Sequence, residues 1–424
     1  MVTDTWNPEL QQWLRERSSA IGFELAGVAA VDAPSSLSES LDASRFEAWI
    51  EAGRAGEMEY LKRRDAGGRF LRSSVQIAHP WANSVIVCAM NYNTPGPLST
   101  EPAPANSGWI ARYAWSGEAP SETGDTAAPA GTDYHDFLLT PLHRLACELE
   151  ERAGGESKCY VDTGPLVERS LAARAGVGWI GKNTCVLNQG QGSWLLLGVI
   201  LSSLRLPPRL TTLPAADRCG SCTRCIDACP TEALTSPHQM DASRCIAYLT
   251  IEKKGAIPVA LREPMGRQVF GCDICQDVCP WNRHTRAESG SFPPASIRAR
   301  QELINPDLGW LASMDAATFK RWFKGSPLER TRHSRLHRNV AIAMGNSAEK
   351  RFMPQLRTWR DGDDPVLAEA SSWALAKIER AQDLGQVEAG EEWPDTGNAP
   401  PALGGTDCEE PLAETNPTRS PALC

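Results

Sequence analysis

Eight cysteines in the middle of the chain have the spacing that most directly indicates chemistry. They form a run of Cys-x2-Cys-x2-Cys-x3-Cys-Pro, then a lone cysteine, then a second run of Cys-x2-Cys-x3-Cys-Pro. The eight are Cys219, Cys222, Cys225, Cys229, Cys245, Cys272, Cys275 and Cys279. Cysteines this close together allow one loop to wrap an iron–sulfur cube, with backbone N–H groups facing the sulfides. The set is large enough to bind two 4Fe–4S clusters.

In two-cluster ferredoxins the fourth cysteine of such a run crosses to the other cluster. This rule assigns to the first cluster Cys219, Cys222, Cys225 and Cys279. It assigns to the second cluster Cys229, Cys245, Cys272 and Cys275. The alternative is two zinc sites with four cysteine ligands each, but zinc usually takes pairs of Cys-x2-Cys, so the spacing favours clusters. Two adjacent clusters carry single electrons and choose no substrate, so we expect the terminal acceptor in the chain ahead of them.

The residues ahead of the cysteines alternate between strand and helix patterns. Apolar runs at 84–92 and 194–204 are typical of buried strands, and residues 133–152 have the spacing of an amphipathic helix. The alternation predicts an α/β or α+β domain up to about residue 215. We expect the remaining cysteines to be small buried hydrophobes or tail residues. These are Cys88, Cys147, Cys159, Cys185, Cys408 and Cys424.

The whole chain is therefore predicted to be an α+β multidomain protein. The predicted domains are an N-terminal α/β domain (1–215) with a flexible insertion at 116–132, a ferredoxin-like two-cluster domain (216–290), a helical, HEAT-like segment (291–384) and a disordered acidic tail (385–424).

Charge and hydropathy narrow the class of protein. The net charge is −9, but residues 361–424 carry −11 and the rest of the chain +2, which leaves room for an anionic partner. No apolar run reaches the ~18 residues that span a bilayer, and the N-terminus has no signal-peptide pattern. We expect a cytoplasmic protein with no membrane partner, in which cysteines act as ligands and not as disulfides.

Several stretches together resemble one family, epoxyqueuosine reductase, the cobalamin-dependent iron–sulfur enzyme of queuosine tRNA modification. They are "RYAW", "DYH", "YVDTGPLVERSLAARAGVGWIGKN", "CGSCTRCIDACPTEAL", "RCIAYLTIE" and "FGCDICQDVCPWN". The resemblance covers about residues 8–380 and is densest from 159 to 283. It implies that the N-terminal domain binds cobalamin and that the activity is the last step of queuosine biosynthesis, reduction of the wobble-base epoxide to an alkene.

Asp162 in "VDTGP" matches the proton donor of that family. The departing epoxide oxygen needs a proton, and burial beside a corrin would raise the pKa of a carboxyl toward neutrality. The alternative is a turn-capping aspartate before Gly164 and Pro165.

Asp133 and His135 in "DYH" match a second polar position of the family's site. The alternative for Asp133 is the N-cap of the following helix. The family joins "RYAW" to "DYH" by about two residues, whereas this chain inserts 116–132. Asp133 keeps its place only if that insertion bulges outward.

Cobalamin is implied by the resemblance alone. The lower-ligand motif Asp-x-His-x-x-Gly is absent, because Leu138 stands where the glycine should be. By the resemblance, the positions that contact cobalamin are Arg72, Ala111, Asp162, Val186, Leu197, Ala247 and Asp273. Lys182 and Asn183 in "GKN" either orient the site or form a plain loop after a helix.

The resemblance also implies tRNA as a partner. Lys254 matches an RNA-contacting position, and "ERTRHSRLHRN" predicts a strip of phosphate contacts, with a solvated helix face as the alternative. The arginines of this strip are Arg330, Arg332, Arg335 and Arg338. Glu369 stands where family repeats can carry a basic residue.

We expect the protein to be a monomer that receives its electrons from a reduced ferredoxin or a flavodoxin-type donor. Two other functions remain open from the sequence: another corrinoid iron–sulfur reductase of reductive-dehalogenase type, and a ferredoxin-type electron carrier. About 215 residues ahead of the clusters are more than a carrier needs.

Overall fold

The computed structural model describes residues 5–31, 37–117, 133–283 and 299–390. Residues 118–132 of the predicted insertion and 391–424 of the predicted tail lie outside the described residues. The fold is mixed α/β. Its strands are β1 (Leu25–Ala30), β2 (Ser84–Asn91), β3 (Trp109–Ile110), β4 (Ser157–Tyr160), β5 (Trp179–Ile180), β6 (Val186–Leu187), β7 (Leu195–Ser202) and β8 (Gln268–Phe270).

The α-helices follow the same chain order. They are α1 (Pro8–Ile21), α2 (Leu37–Glu51), α3 (Val75–Ala78), α4 (Tyr134–Ala153), α5 (Glu168–Arg174), α6 (Arg224–Asp227), α7 (Ile246–Ile251), α8 (Val259–Arg262), α9 (Ile274–Asp277), α10 (Leu308–Ala312), α11 (Ala316–Phe323), α12 (Arg332–Ser347), α13 (Met353–Arg360) and α14 (Pro365–Gly390).

The N-terminal sheet has four antiparallel strands in the order β1-β2-β7-β4. Every residue of β2 is buried, which explains why its sequence is apolar without a break. Ile86, Cys88 and Met90 pack against α1 and α4 on one face, whereas the alternate residues of β2 pack against α5 on the other. Side chains of a strand alternate between faces, so both layers of helices are required to bury them.

The position of α5 depends on a close approach to β1. A Cβ atom on Gly27 would lie 2.0 Å from the carbonyl oxygen of Ala175, at the end of α5. Only glycine permits this contact. On the other side, Leu171 and Ala172 are buried against the sheet. The helix is therefore fixed relative to β4 and to the turn that joins them.

A second core joins parts of the chain that the sequence placed in separate domains. Strand β3 pairs in parallel with β8, and their residues share one apolar cluster with α7, α10, α12 and α14. Residues Met1–Ala381 form one compact unit and Gln382–Cys424 a second. The predicted borders near residues 215 and 290 thus fall inside one unit, and the division into domains stays a proposal.

The C-terminal segment is helical, as predicted, but α14 continues to Gly390, beyond the expected end of the helices at residue 384. Glu369 on α14 accepts hydrogen bonds from the Arg262 guanidinium at 2.7 and 2.6 Å. The Arg262 side chain is only 2% exposed, so an acidic residue at position 369 satisfies a buried cation. Within the described ranges, no helix combines the length and the apolar character needed to span a membrane.

Candidate active site and cluster ligands

Asp162 lies in the turn between β4 and α5, and its side chain is 63% exposed. Its φ is +56°, a left-handed conformation that residues other than glycine adopt at a cost. The backbone N–H of Asp162 donates to Oε1 of Glu168 at 2.8 Å. The carboxylate therefore points away from a backbone that its neighbours hold in place.

The "DYH" residues meet Asp162 from the first turn of α4. The Tyr134 hydroxyl donates to Oδ2 of Asp162 at 3.1 Å, and Nε2 of His135 lies 3.8 Å from the same oxygen. Nδ1 of His135 is 2.6 Å from Oδ1 of Asp133. Asp133 is also the N-cap of α4, because its side chain accepts from the His135 N–H. Despite the insertion, the structure thus brings Asp133 to the site. There it contacts His135 and does not lie directly beside the Asp162 carboxylate.

Burial and neighbouring charges shift the pKa values of the groups in this site. Burial would raise the pKa of Asp162, but hydrogen bonds from His135 and Tyr134 and the charge of Arg330 outweigh it and hold the pKa below its usual value. The raised pKa expected at Asp162 was for a carboxyl beside a bound corrin, and it stays a prediction for that state. Burial lowers the pKa of His135, yet hydrogen bonds to Asp133 and Asp162 outweigh burial and raise it. The imidazole of His135, whose pKa is raised, thus lies 3.8 Å from the Asp162 carboxylate.

Glu168 is the carboxyl group of this site whose pKa is raised. Burial, reinforced by the negative charge of Asp162, raises the pKa of Glu168 to about 7. Sequence analysis missed Glu168, although its position at the start of the helix after "VDTGP" was a usable signal.

Arg330 reaches the site from the segment before α12. Its Nη2 lies 2.6 and 2.9 Å from the two ring nitrogens of His135, and its guanidinium carbon is 5.6 Å from the Tyr134 ring centroid. The predicted phosphate contact is thus, in this structure, a cation packed on the "DYH" residues. No local pattern could have shown this, because Arg330 and His135 are 195 residues apart.

The eight cluster cysteines lie in two groups. Burial, together with the neighbouring Cys219 and Cys225, raises the pKa of Cys279 to about 11. Cys225 in turn interacts with Cys219 and Cys222. These four are the predicted ligands of the first cluster.

The second group has the same character. Burial raises the pKa of Cys272 well above the usual value, with contributions from Cys245 and Cys229. The pKa of the Cys275 thiol is also raised, first by its interaction with Cys185, then by burial, and then by Cys272 and Cys245. The grouping agrees with the predicted partition, which remains a proposal about ligation.

Donors aimed at these sulfurs fit iron–sulfur clusters. The indole N–H of Trp179 is buried and has no hydrogen-bond partner at normal distance in the described residues. It nevertheless interacts with the Cys219 thiol. The backbone N–H of Lys182 interacts with the same thiol. Backbone N–H groups of Ala247 and Tyr248 face the Cys245 sulfur. Such donors stabilise cluster thiolates. Among the residues that the structure describes, no three His, Cys, Asp or Glu side chains form a site for a single metal ion.

The "GKN" segment holds both cysteine loops. Nζ of Lys182 donates to the carbonyls of Gly220 and Cys222 at 2.6 and 3.0 Å, and Nδ2 of Asn183 lies 3.4 Å from the Cys275 carbonyl. Close by, Cys185 forms a hydrogen bond with Cys275. Cys185 was expected to be only a small buried hydrophobe, so its place beside a cluster ligand corrects that expectation.

The predicted cobalamin positions are only partly brought together. Arg72 interacts electrostatically with Asp162, and burial lowers the Arg72 pKa. Asp273 is 1% exposed, accepts hydrogen bonds from Arg112 N–H and the Trp109 indole, and burial raises its pKa to about 7. Ala111 adjoins this contact in sequence. Val186 and Leu197 belong to the apolar layer that contains α5, and Ala247 is partly buried on α7.

Two arginines of the predicted tRNA strip have a structural role. Arg338 is 1% exposed and donates to the carbonyls of Leu249, Lys253 and Gly255 at 2.6–2.7 Å. Half-buried Arg335 donates to Ile251 at 2.6 Å. Helix α7 ends here, and the last carbonyls of a helix lack partners within it. The prediction that Arg338 contacts phosphate is therefore wrong. The Arg335 guanidinium is largely occupied by backbone carbonyls, whereas Lys254 and Arg332 are exposed.

We expect Arg338→Ala to destabilise the fold by about 3 kcal/mol, because it leaves buried carbonyls without their charged donor. Thermal unfolding measures the effect, with Arg332→Ala as the exposed control. Equal melting temperatures for the two variants would show that the Arg338 contacts are not stabilising.

The fold and the two cysteine groups define an iron–sulfur oxidoreductase. Residues 218–282 match the 4Fe–4S double cluster binding domain, which favours clusters over zinc, and residues 72–163 match the family described as epoxyqueuosine reductase QueG, DUF1730. The epoxyqueuosine reductase of Xanthomonas campestris pv. campestris is 36% identical over 369 residues, covering 86% of this chain and 95% of the relative. The chain belongs to the epoxyqueuosine reductase family.

Solved structures of the family are also similar. A crystal structure of epoxyqueuosine reductase with an epoxyqueuosine-modified tRNA-Tyr stem loop aligns with a TM-score of 0.72 and 27% identity over 91% of this chain and 96% of the other. The enzyme from Bacillus subtilis, solved with its catalytic aspartate loop swung out of the active site, aligns with a TM-score of 0.70 and 26% identity, covering 91% and 96% of the two chains.

Proposed function

We propose that this chain reduces epoxyqueuosine in tRNA to queuosine, using cobalamin and two 4Fe–4S clusters. The observation that carries the proposal is the convergence of Asp162, Tyr134 and His135 in the unit that also contains both cysteine groups. Family membership supplies the substrate class. The net change is addition of two electrons and two protons, with loss of the epoxide oxygen as water.

The clusters are the proposed route for electrons, and their ligands are the two groups of four cysteines described above. Bound cobalamin would supply a redox-active, nucleophilic cobalt centre for opening the epoxide. Partly buried apolar side chains at Leu197 and Ala247, with the open Asp162 carboxyl, fit a large ligand of this kind. Arg72 and Asp162 are the residues proposed to hold it closest to the chemistry.

Asp162 has the role of delivering a proton to the departing oxygen. His135, whose Nε2 lies 3.8 Å from Oδ2 of Asp162, is the proposed source from which that proton is replaced. Tyr134 orients the carboxylate by its 3.1 Å hydrogen bond. Asp133 and Arg330 act on His135: the carboxylate stabilises its charged form and the guanidinium opposes it.

Anaerobic reconstitution with iron, sulfide and cobalamin, followed by an assay on tRNA that carries epoxyqueuosine with a strong chemical reductant, tests the proposal. Conversion of epoxyqueuosine to queuosine is the expected result. Bound clusters without bound corrin would instead indicate an electron carrier. A reduced ferredoxin or flavodoxin as donor, and a monomeric state, are further proposals.

For tRNA binding, the exposed Lys254 and Arg332 are the proposed phosphate contacts. We expect the double variant Lys254→Ala/Arg332→Ala to bind tRNA more weakly and to lower the salt dependence, log Kd against log salt, by roughly 1 per contact. Binding titrations at several salt concentrations measure this, with exposed Arg209→Ala as the control. An unchanged slope in the double variant would exclude both contacts.

A further inference from the structure

The Asp162 turn needs a restraint from outside itself. A φ of +56° lies in the left-handed region, which residues other than glycine adopt less readily than right-handed conformations. Within the turn, the Thr163 N–H donates to the Val161 carbonyl at 2.6 Å. The Asp162 side chain is mostly exposed, so packing of that side chain does not hold the turn.

The restraint is available from the first residue of α5. Oε1 of Glu168 accepts the Asp162 N–H at 2.8 Å, and the next turn of α5 is anchored by Leu171 and Ala172 in the sheet core. The fixed helix thus holds the backbone of a turn six residues earlier in the chain. The charged and titratable groups that act on the Glu168 carboxyl are Asp162, Arg72 and His135.

We propose that Glu168 is a positioning residue, which holds the Asp162 turn in its left-handed conformation and so keeps the carboxylate within reach of Tyr134 and His135. Its catalytic meaning rests on the proposed function, whereas the restraint itself does not. Glu168 makes no contact with the proposed reacting atoms. Its effect on the reaction passes through the backbone N–H of Asp162.

Glu168 can fill this role whether its carboxyl group is protonated or ionised. Its pKa, raised to about 7 mainly by burial, leaves a mixture of acid and carboxylate at neutral pH. The carbonyl oxygen of the acid accepts an N–H hydrogen bond as the carboxylate does. Glutamine is therefore a conservative replacement, and alanine removes the acceptor.

Hydrogen exchange of the peptide that spans residues 160–166 tests the restraint without reference to activity. We expect Glu168→Ala to increase exchange of the Asp162 amide roughly tenfold, the change for loss of one hydrogen bond, and Glu168→Gln to stay near the wild-type rate. The control is Glu9→Ala, which removes another acidic residue from the first turn of a helix. Wild-type exchange in Glu168→Ala would overturn the proposal.

If Glu168→Ala does not fold, Glu168→Asp takes its place, because its carboxyl is one methylene short of the Asp162 N–H. Faster exchange in that variant supports the restraint, and wild-type exchange overturns it. On reconstituted enzyme we expect alanine to lower kcat with little change in KM, and glutamine to restore kcat. Absence of activity in every form would count against the proposed function but would leave the exchange result intact.

Discussion

Asp162→Asn is expected to abolish epoxide reduction while both clusters and the corrin remain bound. Asparagine keeps the size of the side chain and an oxygen that accepts the Tyr134 hydrogen bond, but it cannot pass on a proton. Loss of a positioned acid costs roughly 10²–10⁴-fold in rate. Single-turnover conversion of epoxyqueuosine in tRNA, read beside iron content and the corrin absorption spectrum, measures the effect.

The matched control is Asp136→Asn, an exposed carboxylate on the first turn of α4. It should turn over as the wild type does. Turnover of Asp162→Asn at the wild-type rate would exclude Asp162 as the proton donor. Loss of the corrin from the same variant would show instead that Asp162 binds the cofactor.

The same site predicts a pH dependence. His135 has a raised pKa, so its proton is present at low pH and is lost as pH rises through that value. The rate should therefore fall on the alkaline side, and His135→Gln should remove that limb of the profile together with most of the activity. A profile unchanged in His135→Gln would place the proton source elsewhere.

Cys245→Ser should lose one cluster and keep the other. The structure groups Cys245 with Cys229, Cys272 and Cys275, so only that cluster loses a thiolate ligand. Iron is expected to fall from about eight to about four atoms per chain. Because the electron route is broken, turnover with an external reductant should fall to a small fraction of the wild-type value.

Iron and sulfide analysis together with electron paramagnetic resonance of the reduced protein measure this outcome. Cys279→Ser should remove the other cluster, and exposed Cys147→Ser should retain all the iron. Full iron in Cys245→Ser would disprove the ligand partition. Loss of all the iron would show that the two clusters do not assemble independently.

Particular residues show how far sequence analysis reached. It predicted the buried strands at 84–92 and 194–204, the helix after Asp133 and the two groups of cysteines. These features depend on local periodicity or on spacing within a loop, which a linear sequence displays. It was wrong on Arg338, whose charge suggested a surface position. It overlooked Glu168 and Cys185.

The sequence by itself determined that the chain binds iron–sulfur clusters, because the spacing of the ligands is contained within a few dozen residues. Only the tertiary structure decided which groups carry protons and which arginines are free. Arg330 contacts His135, which is 195 residues away in the chain. The Arg338 guanidinium donates its hydrogen bonds to carbonyls more than 80 residues away. The pKa of a side chain and the partner of a guanidinium depend on burial and on neighbouring charges, and those neighbours come from distant parts of the chain.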